Sequence, residues 1–129
     1  MATVATLRVA VGTPDPELAA RVSGIVAGAG HEVVFEGHSS FDLLEACFAG
    51  EADLAVVDQS LPRVPGAEVA AVLGGLSRPI PAVVLHRGEL GAADDLLVLD
   101  PTRPGFERAL ANVLANAAHS RGSGGRRTG

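Results

Sequence analysis

Five short apolar runs alternate with stretches of helical periodicity along this chain, and that alternation restricts the fold more than any other feature. The runs are Leu7–Gly12, Glu32–Phe35, Leu54–Val57 with Asp58 at its end, Ala82–His86 and Asp95–Asp100. Each is too short for a buried helix, and each is almost continuously apolar, the pattern of a strand covered on both faces. Between them the spacing predicts helices. The first runs from Pro16 to about Ala29 after the Pro14-Asp15-Pro16 turn, with Leu18, Val22 and Ile25 as its stripe and Gly28 and Gly30 as its stop. The second is capped by Ser39 or Ser40 and reaches Ala49, with Phe41, Leu43, Leu44, Cys47 and Phe48 inward. The third spans Ala67 to Leu76, closed by Gly74-Gly75 and the Arg78-Pro79 break. The last spans Pro104 to about Ser120, with Phe106, Leu110, Val113, Leu114 and Ala117 inward.

Strands separated by helices require right-handed crossovers and a parallel sheet. The expected fold is therefore an α/β, flavodoxin-like three-layer α/β/α sandwich with strand order 2-1-3-4-5. That order sets the ends of strands one and three side by side and brings Thr13, Asp15, Asp58 and His86 to one crevice. The 129 residues suit one domain, read as 1–121, with a flexible tail over 122–129, GSGGRRTG.

The stretch with the most chemistry is Asp53–Gly66, DLAVVDQSLPRVPG. Asp58 ends a strand on the side of the sheet where ligands collect, and Ser60, Pro62, Pro65 and Gly66 follow at once as turn formers. On these residues alone Asp58 is either a functional carboxylate or the cap of a turn.

Composition closes off several functions. A net charge of −5 argues against a nucleic-acid surface, and Arg121, Arg126 and Arg127 make only a sparse basic end. No apolar run is long enough to span a bilayer, and MATVATLRVAV lacks the basic start and long apolar centre of a signal peptide, so a cytoplasmic location is expected. One cysteine, Cys47, excludes an internal disulfide and sits among apolar neighbours, as an inert core thiol does. Gly28 to His31 falls at a helix end, where glycine is ordinary capping chemistry rather than a phosphate loop. No catalytic triad can be specified, and no enzymatic role is expected. The chain contains no lysine at all, so a mechanism that needs an ammonium group has none.

Asp58 with Pro62 four residues on and Gly66 eight on resembles the phosphoacceptor and following loop of response-regulator receiver domains in two-component signalling. PDPEL (14–18) resembles that family's lead into its first helix, IPAVVLH its fourth strand, and GAADDLLV from Gly91 its approach to strand five. The resemblance implies a phosphorelay signalling module with Asp58 as phosphoacceptor and a divalent cation, Mg²⁺, beside it.

The departures from the family are equally specific. Two adjacent acids that would bind the cation are replaced by Thr13 and Pro14, which leaves Asp15 nearest. Asp15, Asp58 and a carbonyl near Ser60 make at most a weak metal site; otherwise Asp15 caps the first helix and no metal binds. The hydroxyl expected after strand four is His86, which either pairs with Asp58 or lies at the surface. The family lysine has no counterpart: Leu99 or Asp100 holds its place, ahead of Pro101, and Arg87 is the nearest substitute cation. A charge pair at about 4 Å and an effective dielectric near 20 is worth roughly 4 kcal/mol, more than the ~1–3 kcal/mol of ordinary allosteric couplings. Leu96 replaces the aromatic ring that rotates on activation. Only RGELGAAD separates His86 from strand five, so the family's fourth helix is expected to be shortened or missing and the sheet partly uncovered there.

These features predict an atypical, stand-alone receiver-like module that acts by protein contact, without the Mg²⁺-dependent aspartyl-phosphate switch and with no cofactor. Its expected partner is a histidine kinase or downstream effector, with homodimerisation through strand four, strand five and the last helix; neither nucleic acid nor membrane is expected. The competing expectation is an orthodox receiver phosphorylated on Asp58 with Mg²⁺.

Overall fold

The computed structural model describes residues 6–88 and 96–124. Among them the order is β1 (Arg8–Gly12), α1 (Pro16–Gly28), β2 (Glu32–Gly37), α2 (Ser40–Phe48), β3 (Leu54–Asp58), α3 (Gly66–Gly74), β4 (Ala82–Leu85), β5 (Leu97–Leu99) and α4 (Phe106–Gly124). The five strands form one parallel sheet in the order β2-β1-β3-β4-β5, as the alternation of the sequence requires.

Alternate strand residues feed two separate cores. Val9 and Val11 of β1, Leu54 and Val56 of β3 and Val83 and Leu85 of β4 pack with Val22 and Val26 of α1 and with Phe106, Leu110 and Leu114 of α4. On the other face Ala10, Ala55, Val57 and Val84 pack with Leu43 and Cys47 of α2 and with Val69 and Leu73 of α3. Burial of each such Val or Leu side chain contributes about 1.5–3 kcal/mol, and the strands contribute to both layers at once. At the foot of the sheet the buried Asp53 accepts from the Arg8 backbone N–H at 2.9 Å and from its guanidinium Nη2 at 3.1 Å, which pins β1 to the start of β3. Asp58 lies at the opposite end of β3.

Local chemistry sets the ends of the elements. Asp15 caps α1 by accepting from the backbone N–H groups of Glu17 and Leu18, with Pro16 at the first helical position. Gly30, at a φ of +88°, turns the chain out of that helix. Ser39 rather than Ser40 caps α2.

Several expectations need correction. Phe41 and Phe48 of α2 are exposed at 52% and 56%, and Leu43 and Cys47 alone of the five named residues are buried. Leucine and cysteine at spacing i, i+4 already fill the gap beneath this short helix, and the phenylalanines fall to its outer flank. Strand β4 ends at Leu85, which leaves His86 in the loop, and β5 is cut to Leu97–Leu99, with Leu96 and Asp100 outside it. Helix α4 continues past Ser120 to Gly124 and so includes 122–124, which composition alone assigns to a tail; 125–129 lie outside the described residues.

Four helices are present among the described residues, and none of them lies in the β4–β5 connection. Most of that connection, 89–95, and the GAADDLLV match to the family through Asp95, lie outside the described residues. At the adjoining sheet edge Leu97 is 44% exposed. No helix among the described residues is long and apolar enough to cross a membrane.

Candidate functional site

The site is assembled where β1, β3 and β4 end together. Thr13, directly after β1, is fully buried and held at three points. Its backbone N–H donates to the Gly37 carbonyl at 3.1 Å, His38 Nδ1 lies 3.0 Å from its carbonyl oxygen, and the Asp15 N–H donates to its Oγ1 at 3.1 Å. With Oγ1 so oriented, the hydroxyl proton points at Asp58: Oγ1 donates to Asp58 Oδ2 at 2.6 Å. The other oxygen, Oδ1, accepts from the Ser60 N–H at 2.9 Å and the Ser60 hydroxyl at 2.7 Å. The half-buried carboxylate of Asp58 thus has three neutral donors.

The loop after Asp58 is built for close approach. A Cβ on Gly66 would lie 2.8 Å from the Asp58 carbonyl oxygen and 2.9 Å from its carbon, so α3 starts against the backbone of the aspartate only because this residue has no side chain. Gln59 Oε1 accepts from the Ala67 N–H at 2.7 Å and supplies the cap that Pro65 cannot. The buried Ser40 reaches from α2 to clamp the loop: its hydroxyl donates to the Pro62 carbonyl at 2.9 Å and accepts from the Val64 N–H at 3.2 Å. Between those contacts Arg63 sits at a φ of +78°, a strained position for a side chain of its size, with its guanidinium 5.4 Å from the centre of the exposed Phe41 ring.

An open crevice of about 740 Å³ runs along this end of the sheet, with Asp15, Asp58, Ser60, His86 and Arg87 among its lining residues. Thr13 sits behind Asp58, and Asp100 stands at the end of β5 nearby. Asp15, Asp58 and His86 line the crevice together, whereas Thr13 and Asp100 are not among its lining residues. His86 is bonded through its backbone, whose N–H donates to the Leu99 carbonyl at 3.0 Å; its ring makes no hydrogen bond to Asp58 among the described residues, the surface reading of this residue. Arg87 is exposed on the rim, and no ion pair joins it to Asp58 among the described residues.

Asp100 is no free acid in a lysine's place. Its Oδ2 accepts from the Gly88 N–H at 2.8 Å, and its Oδ1 accepts from the N–H and hydroxyl of Thr102 at 2.8 and 2.6 Å. The Thr102 hydroxyl first, then the two backbone N–H groups, hold its carboxyl down at about 2.

Arg21 is the residue sequence reasoning misses. From α1 it lines the crevice, donates from Nη1 to the Pro101 carbonyl at 2.7 Å, and places its guanidinium 4.9 Å from the centre of the Phe106 ring. Its Nε is 3.9 Å from Glu107. No local pattern marks it, because its partners lie about eighty residues away in the chain.

Among the described residues, both carboxylate oxygens of Asp58 and Oδ1 of Asp15 are already engaged in hydrogen bonds. A hard cation wants an octahedral set of oxygens, and Asp15 spends Oδ1 on the α1 cap, at 2.9 Å from the Glu17 N–H, while both oxygens of Asp58 accept from Thr13 and Ser60. Among the described residues no three His, Cys, Asp or Glu side chains gather where a metal ion would sit.

The parallel sheet in this order, with an aspartate at the C-terminal end of its central strand, has the fold of response-regulator receiver domains. The chain resembles the chemotaxis response regulator CheY4 of Vibrio cholerae at 18% identity and a TM-score of 0.71, covering 89% of this chain and 99% of that one. The signal receiver domain of an HD domain-containing protein from Pseudomonas fluorescens Pf-5 is similar at 15% identity and a TM-score of 0.76, covering 98% of each chain. A PhyR variant from Bartonella quintana, described as an anti-anti-sigma factor, is similar at 15% identity and a TM-score of 0.73; 95% of this chain covers 52% of that one. No protein-family model and no curated protein matches the sequence.

Proposed function

We propose that this chain is an atypical receiver-like signalling module that acts by protein–protein contact, without a Mg²⁺-dependent aspartyl-phosphate switch and without catalysis of its own. The observation that carries this reading is the 2.6 Å hydrogen bond from the buried Thr13 hydroxyl to Asp58. A neutral donor occupies the side of the carboxylate where the resemblance implies a metal held by two further acids. Its partner is another signalling protein, a histidine kinase or a downstream effector. The surface offered for homodimerisation is that of β4, β5 and α4, where Leu97 is exposed.

Addition of Mg²⁺ with beryllofluoride, an acyl-phosphate mimic, is expected to leave the amide NMR spectrum nearly unchanged. Large shifts around Asp58 and β5 overturn the reading. Asp58→Asn is expected to leave partner binding intact.

A second reading, phosphorylation of Asp58 in an otherwise orthodox receiver, is favoured by one observation: Asp58 is half-exposed in a crevice that Arg21 and Arg87 also line. The same beryllofluoride experiment separates the two.

A further inference from the structure

Asp100 reverses the charge expected at the end of β5, and that reversal has a structural use. Asp100-Pro101-Thr102 repeats the chemistry of Asp58-Gln59-Ser60: in each, a strand-ending carboxylate accepts both the N–H and the hydroxyl of the residue two positions on. The third donors differ. For Asp58 it is the side chain of Thr13; for Asp100 it is the backbone N–H of Gly88, in the loop after β4. Asp100 therefore staples the loops that follow two neighbouring strands, and its side chain is only 14% exposed.

The same corner is fastened from the opposite side. Arg21 holds the Pro101 carbonyl at 2.7 Å, and its guanidinium packs 4.9 Å from the centre of the Phe106 ring at the start of α4. The backbone closes the corner between these ties, with the Arg103 N–H donating to the Asp100 carbonyl and the Phe106 N–H to that of Arg103, both at 3.2 Å.

We infer that Asp100 and Arg21 lock the β5–α4 corner in one conformation, joined to the loop after β4 and to α1, so that it is set independently of what happens at Asp58. This inference rests on the proposed function, for which it supplies the regulatory half. A ligand can act at a distance only by favouring one of two states, and ties on both sides of the corner make a second state costly to reach.

Amide hydrogen exchange tests this without a variant. In the native protein the Gly88 and Thr102 amides are expected to exchange much more slowly than the exposed Arg87 amide. Asp100→Ala should speed Gly88 exchange by about tenfold, the factor expected from losing one hydrogen bond of ordinary net strength. Asp100→Asn, with one acceptor oxygen retained, should do less. Arg21→Gln should bring intermediate-exchange (μs–ms) line broadening to the amides of 102, 103 and 105–107. Native Gly88 exchanging as fast as Arg87, or an Asp100→Ala protein with unchanged Gly88 protection, overturns the lock. If Asp100→Ala does not fold, the native protein and Asp100→Asn still decide. Beryllofluoride added to the same samples separates the two ideas: a response at Asp58 with Gly88 still protected defeats the proposed function alone, whereas a silent spectrum with unprotected Gly88 defeats the lock alone.

Discussion

Thr13→Val is the sharpest perturbation of the site, because valine keeps the shape of threonine and removes only the hydroxyl. Thr13 is fully buried, so the replacement changes no exposed surface. Two hydrogen bonds go: Oγ1 to Asp58 at 2.6 Å, and the Asp15 N–H to Oγ1 at 3.1 Å. A bond to a charged acceptor contributes about 1.5–3 kcal/mol, and an unpaired N–H costs about 1 kcal/mol more where water is excluded. Asp15 is only half-buried, so water offsets part of that second loss. The added methyl returns less than about 1 kcal/mol. The balance is a destabilisation of about 2 kcal/mol. In urea unfolding this lowers the midpoint by roughly 1 M at unchanged slope, and in thermal unfolding it lowers Tm by roughly 6–12 °C.

A double-mutant cycle with Asp58→Ala isolates the pair, and the coupling is expected to exceed about 1 kcal/mol. Thr13→Ser, which keeps the hydroxyl, should retain that coupling. Stability of Thr13→Val at or above the native value, or additivity with Asp58→Ala within about 0.5 kcal/mol, refutes the claim that Thr13 satisfies the aspartate.

Three further outcomes are expected. Gly66→Ala should cost about 1–3 kcal/mol in urea unfolding, since its Cβ would meet the Asp58 backbone, and should shift the Asp58–Gly66 amides while sparing β5. The folded-state carboxyl of Asp100, held at about 2 against an ordinary 3.8, contributes stability fully above 3.8 that is lost as pH falls through that value toward 2; Asp100→Asn should flatten this acid limb, and the Gly88 amide shift should titrate near pH 2. The buried Cys47 thiol, pushed up to about 11 by burial, should resist a thiol reagent at pH 8 until urea unfolds the chain, and its contribution to stability should fade as pH rises from 9 toward 11.

The sequence makes the sheet legible because buried strands of parallel type need runs that are apolar throughout, and five such runs leave little choice of topology. The Asp58, Pro62 and Gly66 spacing is legible for a related reason: only glycine permits the approach of α3 to the Asp58 backbone. The outward placement of Phe41 and Phe48 is not legible, since periodicity in a nine-residue helix defines a stripe but not which stripe meets the sheet. The tie from Arg21 to Pro101 spans eighty positions and leaves no local trace. Asp100 misleads in a different way. Read as a lysine's replacement it looks like a lost partner, whereas three donors converge on it.

The two acids also differ from charge pairs in how far their interactions reach. A cation beside Asp58 would act over many ångströms, screened in solution with a length of about 10 Å at moderate salt, and so would pull on a distant residue when the charge at the aspartate changed. Hydroxyl and amide donors act only at contact: the bonds to Asp58 and Asp100 lie between 2.6 and 2.9 Å and weaken steeply beyond that. Asp58 is satisfied by neutral groups and Asp100 mainly so, with the exposed Arg103 guanidinium 3.7 Å from its Oδ2 as the one charged neighbour; short bonds of this kind keep each strand end rigid and confine a disturbance at one from the other. The lysine that the resemblance implies at the end of strand five would carry the longer reach of a charge. Here the chain has no lysine, and the cations nearest the crevice are Arg21, bound to Pro101, and Arg87 on the rim. Reintroducing that reach gives a direct measurement: Asp100→Lys together with Thr13→Asp is expected to produce a Mg²⁺-dependent shift of β5 amides that neither the native chain nor Thr13→Asp alone displays. If the native chain shifts equally, contact-range bonding is not what separates the two strand ends.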